Sequence, residues 1–233
     1  LTNSRVLPSN EARELVSEIL RNLSKAASST GKIFEVVLRG DSTLRGHFLE
    51  EIESHIDTIG SPDAWIITPS FEQGGRVTIE DVHYVIDKDM LVPVANTQSA
   101  ADKPFGFKSS NLAEYVREKA GCRFSGNDIV AVTLVEIRQG GVTEVAKKLL
   151  AVPKGGEAIL NAVQEVDMRL FCLGLLEGVE LDRPHSCGTH VLLREYLSDL
   201  CLRVARLWEI HLLTNASVQK IITAVLAIDR VRL

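Results

Sequence analysis

The chain has 233 residues, 45% of them hydrophobic, and a net charge of −5. That length and apolar content support one large core, or one domain with part of another. The acidic balance argues against a nucleic-acid surface, and no run of about 18 apolar residues is available to span a membrane.

The chain opens at Leu1 inside a capped helical pattern, with no leader-like stretch, and reads as a cytoplasmic chain truncated at the front. "SNEARELVSEILRNLSKAA" predicts a helix capped by Ser9 or Asn10, with Leu15, Val16, Ile19, Leu20 and Leu23 on one face. "KIFEVVLR" predicts a buried strand, and "HFLEEIESHIDTI" a helix closed by Gly60. "AWIIT" is a second buried strand, and "VTIEDVHYVIDKDMLVPV" predicts two β segments around Asp87-Lys88-Asp89. A serine-capped helix follows in "SSNLAEYVREKAG", stopped by Gly121. "DIVAVTLVEI" (strand), "GGVTEVAKKLL" (helix), "EAILNAV" (strand) and "EVDMRLFCLGLLE" (helix) complete the series. Strands alternating with helices predict an α/β fold, a mostly parallel, Rossmann-like sheet with flanking helices.

After about residue 180 the character changes. Residues 181–233 hold seven Arg and Lys against five Asp and Glu and alternate no strands with helices. They predict a divergent helical tail after a 1–180 domain. The four cysteines (Cys122, Cys172, Cys187, Cys201) form no C-x-x-C pair and no zinc pattern, so free thiols and no metal are expected.

The densest polar cluster is "RGDSTLRGH", between the strand at 33–38 and the helix at 48–59. Ligands of open α/β sheets bind beyond the carboxyl ends of strands. Arg39 and Arg45 offer forks for a carboxylate or phosphate, and Ser42, Thr43 and the following helix start offer donors. Asp41 can accept from sugar hydroxyls, Gly46 permits close approach, and His47 closes the cluster. Donors in excess with one acceptor suit a polyhydroxylated acid. The plainer alternative is an internal Arg39–Asp41 ion pair with Ser42 capping a turn. A second cluster, "TPSFEQGGRVTIEDVHYV", follows the second strand and adds Gly75, Arg76 and His83, although a lone histidine beside Tyr84 and Val85 is ordinarily a packed residue. A third, "TQSAADKPFGFKSSNL", adds Asp102, Lys103 and Phe105 or is only a linker. No G-x-x-x-x-G-K-[ST] motif is present.

Together "RGDSTLRGH", "GGRVTIEDVHYV" and "DKPFGFKSSNLAEYVREK" resemble the N-terminal domain of the four-carbon acid sugar kinase family, which includes threonate, erythronate and 3-oxo-tetronate kinases. "IRQGG" and "AILNAVQEVDMRLFCLGLLE" fit in order, so the resemblance covers roughly residues 1–178. It implies a substrate-binding half of a kinase that phosphorylates a tetronate 4-hydroxyl, with a separate domain holding ATP and Mg²⁺. The substrate side would comprise Arg39, Asp41, Ser42, Thr43, Arg45, Gly46 and His47, with Gly75, Arg76 and His83 contributing. The family's first strand with its Asp-Asp-x-Thr-Gly-type loop, and its glycine-rich nucleotide domain, have no counterpart here. The expectation is a sugar-acid-binding chain, inactive alone, that binds no cofactor itself. Its partners would be the sugar acid and, among macromolecules, a second copy or a separate nucleotide-binding domain, with no nucleic acid and no membrane. A non-catalytic binding or regulatory module, or a non-functional fragment, are the alternatives.

Overall fold

The computed structural model describes residues 4–32, 34, 36–38, 40–124, 127–180 and 187–190. Five strands form one parallel sheet: β1 (Val37–Leu38), β2 (Ala64–Ile67), β6 (Ile129–Val132), β7 (Gly156–Leu160) and β8 (Cys187–His190), in the order β1-β8-β2-β7-β6. The other three, β3 (Arg76–Ile79), β4 (Val82–Asp87) and β5 (Met90–Pro93), make a separate antiparallel sheet. Helices α1 (Ser9–Thr30), α2 (Phe48–Ile59), α3 (Leu112–Ala120), α4 (Gly141–Leu150) and α5 (Glu165–Glu180) flank the parallel sheet.

Side chains alternate across a strand, so β2 divides the core. Trp65 and Ile67 join Phe48, Ile52, Leu112, Tyr115 and Val116, the face of α2 and α3. Ile66 joins Val132, Val145, Leu149, Leu160 and Phe171, the face of α4 and α5. Burying both sides explains why these strands are continuous apolar runs. Helix α1 lies on α2, where Arg13 reaches Glu53 at 2.8 Å and Asp57 at 2.6 Å. Among the described residues no helix is long and apolar enough to cross a membrane.

Several local expectations are corrected. The first helix has Pro8 at its N-cap, and Ser9 Oγ donates instead to Glu50 at 2.7 Å. Asn111, not a serine, caps α3, its side chain accepting from the Glu114 amide at 3.1 Å. The 76–93 stretch holds three strands, because the chain also reverses at Glu80 and Asp81, both at positive φ (50° and 64°). Nothing in Glu-Asp announces such a turn. Buried Asn161 imposes it, accepting from the Asp81 amide at 2.7 Å and donating to its carboxylate at 2.6 Å. The strand expected to run to Ile137 stops at Val132. There Thr133 and Glu136 form a reciprocal capping box, carboxylate to Thr133 amide at 2.8 Å and hydroxyl to Glu136 amide at 3.2 Å. Residues 187–190, expected within a helical tail, are the strand β8, paired in parallel with β1 and β2. The remainder of that tail lies outside the described residues. Cys122 and Cys172 are free thiols, as expected.

One core residue is out of place chemically. Glu157 on β7 sits beside Trp65 in register, is 1% exposed, and leaves Oε2 without a partner. Burial pushes its carboxyl up to about 8. An acid with a raised folded-state pKa loses stability as pH rises, here from about 4.5 to about 8. Glu157→Gln should therefore stabilise the protein at pH 8 by about 1 kcal/mol or more and leave it little changed at pH 4.5. Urea melts at the two pH values check this; a gain equal at both would show that the charge is not the cause.

Candidate functional site

The polar loops sit at the carboxyl ends of the parallel strands, and the loop after β1 is the most tightly built. Asp41 is its centre. The Asp41 carboxylate accepts at Oδ1 from the Thr43 amide (3.3 Å) and at Oδ2 from Thr43 Oγ1 (2.7 Å), Arg45 Nε (2.6 Å) and an Arg5 terminal nitrogen (3.0 Å). Burial opposes its charge, but the bonds from Thr43 and Arg45 and the Arg45 charge outweigh this and hold the carboxyl below its usual range. The backbone turns tightly around it: Leu44 N donates to Asp41 O at 2.8 Å, with Leu44 at φ 64° and Gly46 at φ 150°. Gly46 is needed for that φ and not for room, since open space surrounds the position where a Cβ would stand.

Three donors crowd Oδ2, while Oδ1 accepts one bond at 3.3 Å. Asp41 is thus an organiser of the loop, and only Oδ1 keeps a lone pair for the acceptor role toward sugar hydroxyls expected of it. Among the described residues the Arg45 terminal nitrogens make no hydrogen bond, and Asp102 lies 3.8 Å from one of them.

The other candidates divide clearly. His47 is buried, donates from Nε2 to Leu7 O at 3.0 Å and meets the edge of Phe105 at 4.9 Å. Ser42 presents its carbonyl to His83 Nε2 at 2.9 Å, so the second cluster does reach the first. His83 itself is fully buried, with Nδ1 3.0 Å from Thr78 Oγ1. A carbonyl only accepts, so Nε2 carries the proton and Nδ1 accepts from Thr78. Ser70 Oγ, 3.1 Å from Thr78 Oγ1, donates to Ala162 O at 3.0 Å. This chain of polar groups ties the ends of β2 and β7 to the loop after β1. Arg76 is turned to the Gly74 carbonyl of its own loop, and Gly75, at φ 68°, serves the turn before β3. Among the described residues neither makes a hydrogen bond or ion pair with the 40–47 loop. Arg39 lies outside the described residues.

Two contributors escaped sequence reasoning. Arg5 reaches Asp41 from 36 residues away. Tyr115 of α3 donates to Leu44 O at 3.0 Å, and burial pushes its phenol above the ordinary value. Asp102, a candidate from the third polar cluster, faces Arg45. Gly40, Asp41, Leu44, Arg45, Gly46, Ile67 and Tyr115 enclose a recess of about 10 Å³, room for one water. A larger cavity, about 400 Å³, lies near the start of β2 beside Val36, His55 and Ser61, away from these groups.

A doubly wound α/β domain with polar loops gathered at the carboxyl edge of its sheet belongs to the class that binds small ligands there. The sugar-binding N-terminal domain family matches residues 1–194, and this chain belongs to that family. Its N-terminal-domain resemblance to the four-carbon acid sugar kinases stands with that match. Solved structures agree in fold. A Bordetella bronchiseptica domain of unknown function (DUF1537), a domain-swapped dimer with bound citrate, is 21% identical, with a TM-score of 0.58 over 84% of this chain and 44% of its own. A Haemophilus influenzae protein of the DUF1537 family is 18% identical, with a TM-score of 0.58 over 81% of this chain and 42% of its own. The chain thus spans less than half the length of these two relatives. No curated protein matches it.

Burial, with a further contribution from the Arg76 charge, lowers the His83 imidazole to about 4 despite its bond to Ser42 O. A histidine with a depressed folded-state pKa costs stability as pH falls from about 6.5 toward about 4, because only the unfolded chain takes up the proton in that window. Nitrogen-resolved NMR should find neutral, Nε2-protonated His83 at pH 6. His83→Gln should remove part, on the order of 1–3 kcal/mol, of the stability lost across the window. An imidazole titrating near 6.5 would contradict the buried relay.

Proposed function

We propose that this chain is the substrate-binding part of an ATP-dependent four-carbon acid sugar kinase, one that positions a tetronate for phosphorylation at its 4-hydroxyl. The observation that carries the reading is the Asp41-centred loop, which holds Arg45 rigidly at the carboxyl end of β1 with its terminal nitrogens free of hydrogen bonds among the described residues. The membership in a sugar-binding family supports it, as does the citrate bound to the Bordetella relative, a small hydroxy acid. The recess under the loop takes only a water-sized group, so the acid lies across the loop's outer surface, its carboxylate toward Arg45 and its hydroxyls toward Ser42 and the backbone around Gly46.

On this reading ATP and Mg²⁺ belong to a domain other than the sugar-binding one, whose sequence has no P-loop. No phosphoryl-transfer step is assigned to this chain's residues. A domain holding the nucleotide, in the same protein or a separate one, would complete the reaction, and a dimer like the swapped pair of the Bordetella relative is one way of bringing two halves together.

Calorimetry with threonate, erythronate and 3-oxo-tetronate, run beside a coupled assay of ATP consumption, tests the proposal. At least one acid should bind, and the 233-residue chain alone should not turn over. Failure of all three to bind would overturn the site, and turnover above about 1 s⁻¹ would overturn the division of labour. Arg45→Ala should cost about 1.5–3 kcal/mol of acid affinity, the range of a hydrogen bond to a charged group. An unchanged dissociation constant would remove Arg45 from the ligand's path.

A further inference from the structure

We infer that Arg5 is a ligand-binding residue, forming with Arg45 a two-guanidinium clamp for the carboxylate of a small hydroxy acid. This rests on the reading of the 40–47 loop as an acid site and adds a residue from a segment outside every motif in that loop. Both guanidinium groups converge on one oxygen: Asp41 Oδ2 lies 3.0 Å from an Arg5 terminal nitrogen and 2.6 Å from Arg45 Nε. One carboxylate oxygen thus brings two cations side by side, a juxtaposition that their mutual repulsion would otherwise oppose.

Arg5 spends only that one terminal nitrogen on Asp41, and Arg45 spends Nε on Asp41 and Thr43. Among the described residues, Arg5 Nε and its other terminal nitrogen, and both terminal nitrogens of Arg45, make no hydrogen bond. The two side chains are 46% and 29% exposed, so the unused donors are open to solvent. A planar guanidinium presents paired N–H groups that match a carboxylate's two oxygens. Two such groups anchored on a common point can grip one carboxylate from two sides.

The segment that carries Arg5 is fastened on both flanks. Ser4 Oγ donates to Glu51 at 3.1 Å, Leu7 O accepts from His47 Nε2 at 3.0 Å, and Ser9 Oγ donates to Glu50 at 2.7 Å. Every one of these partners lies in or just before the first turn of α2. Arg5 is therefore presented by the helix that follows the loop, and the clamp is set before the ligand arrives. Its chemistry selects an anion over a neutral polyol, since a tetritol offers the same hydroxyls with no charged acceptor.

The test is calorimetric titration of the full chain with threonate and with erythronate at low and high salt, comparing wild type, Arg5→Ala and Arg5→Lys. Removing a charge-assisted contact should weaken binding about tenfold or more in Arg5→Ala and flatten its salt dependence, with Arg5→Lys between the two. Binding of the acid by Arg5→Ala as tightly as by wild type would overturn the clamp and leave the acid site standing. Weakening with an unchanged salt dependence would also overturn it, because Arg5 would then act only on the fold of the segment. A wild-type chain that binds neither acid would overturn both the clamp and the site on which it rests.

Discussion

The site hangs on the Asp41 carboxylate. In the eight residues between Leu38 and His47 the chain must leave a buried strand, turn through Leu44 at φ 64°, and enter α2. A non-glycine residue at positive φ costs energy and persists only where its surroundings dictate it. Asp41 supplies that constraint from inside the turn, through the Thr43 amide and hydroxyl and the Arg45 guanidinium. Tyr115 supplies it from outside, bonding the Leu44 carbonyl from a helix 71 residues away. The same carboxylate therefore sets backbone shape and cation position together. Neutralising it would release both, which separates its role from that of a residue merely in contact with ligand.

The second constraint is distance across the sheet. The β3–β4 hairpin belongs to a different sheet from β1, yet His83 of that hairpin holds Ser42. Three buried polar side chains make this register stick. Asn161, at the end of β7, pins the Asp81 turn and bonds Val132 O at 3.1 Å, while Ser70 and Thr78 tie the hairpin to Ala162. Buried polar groups are costly unless satisfied, so a chain of them that closes on itself admits few alternative arrangements. The loop after β1 is in this way fixed to the ends of β2 and β7, the region where ligands of such sheets collect.

Much of this was legible in the sequence, but not evenly. Periodicity located α2, α4, β2 and β7 because both faces of the sheet demand apolar runs and the helices demand one apolar face. The dense polar cluster after β1 marked the site for the same reason: so many hydrogen-bonding groups beside a core strand need a purpose. What periodicity could not show was partnership. Asp41 looked like a free acceptor because its donors include Arg5, which sits 36 positions earlier in a stretch with no motif of its own. His83 looked like a possible ligand contact, and only its burial and its bond to Ser42 make it a support. The turn at Glu80-Asp81 was invisible because a distant asparagine imposes it. Thr133-x-x-Glu136 has the pattern of a capping box, but the β-branched run before it reads as one strand continuing.

In the proposed acid site, the pairing of charges would set selectivity. Around the loop the described groups include two cations, Arg5 and Arg45, and two anions, Asp41 and Asp102. The two anions differ in how they hold their partners. Asp41 is bonded at 2.6 Å to Arg45 Nε and is largely shielded, whereas Asp102 stands 3.8 Å from a terminal nitrogen, beyond hydrogen-bond range. An incoming carboxylate can displace the looser interaction and keep the tighter one, gaining direct bonds to nitrogens that a distant aspartate only screens. A neutral hydroxyl reaching the same nitrogens would bring no charge of its own to set against that weakened pairing. The proposed discrimination between acid and polyol would therefore lie in the contrast between one short and one long carboxylate contact to the same guanidinium group.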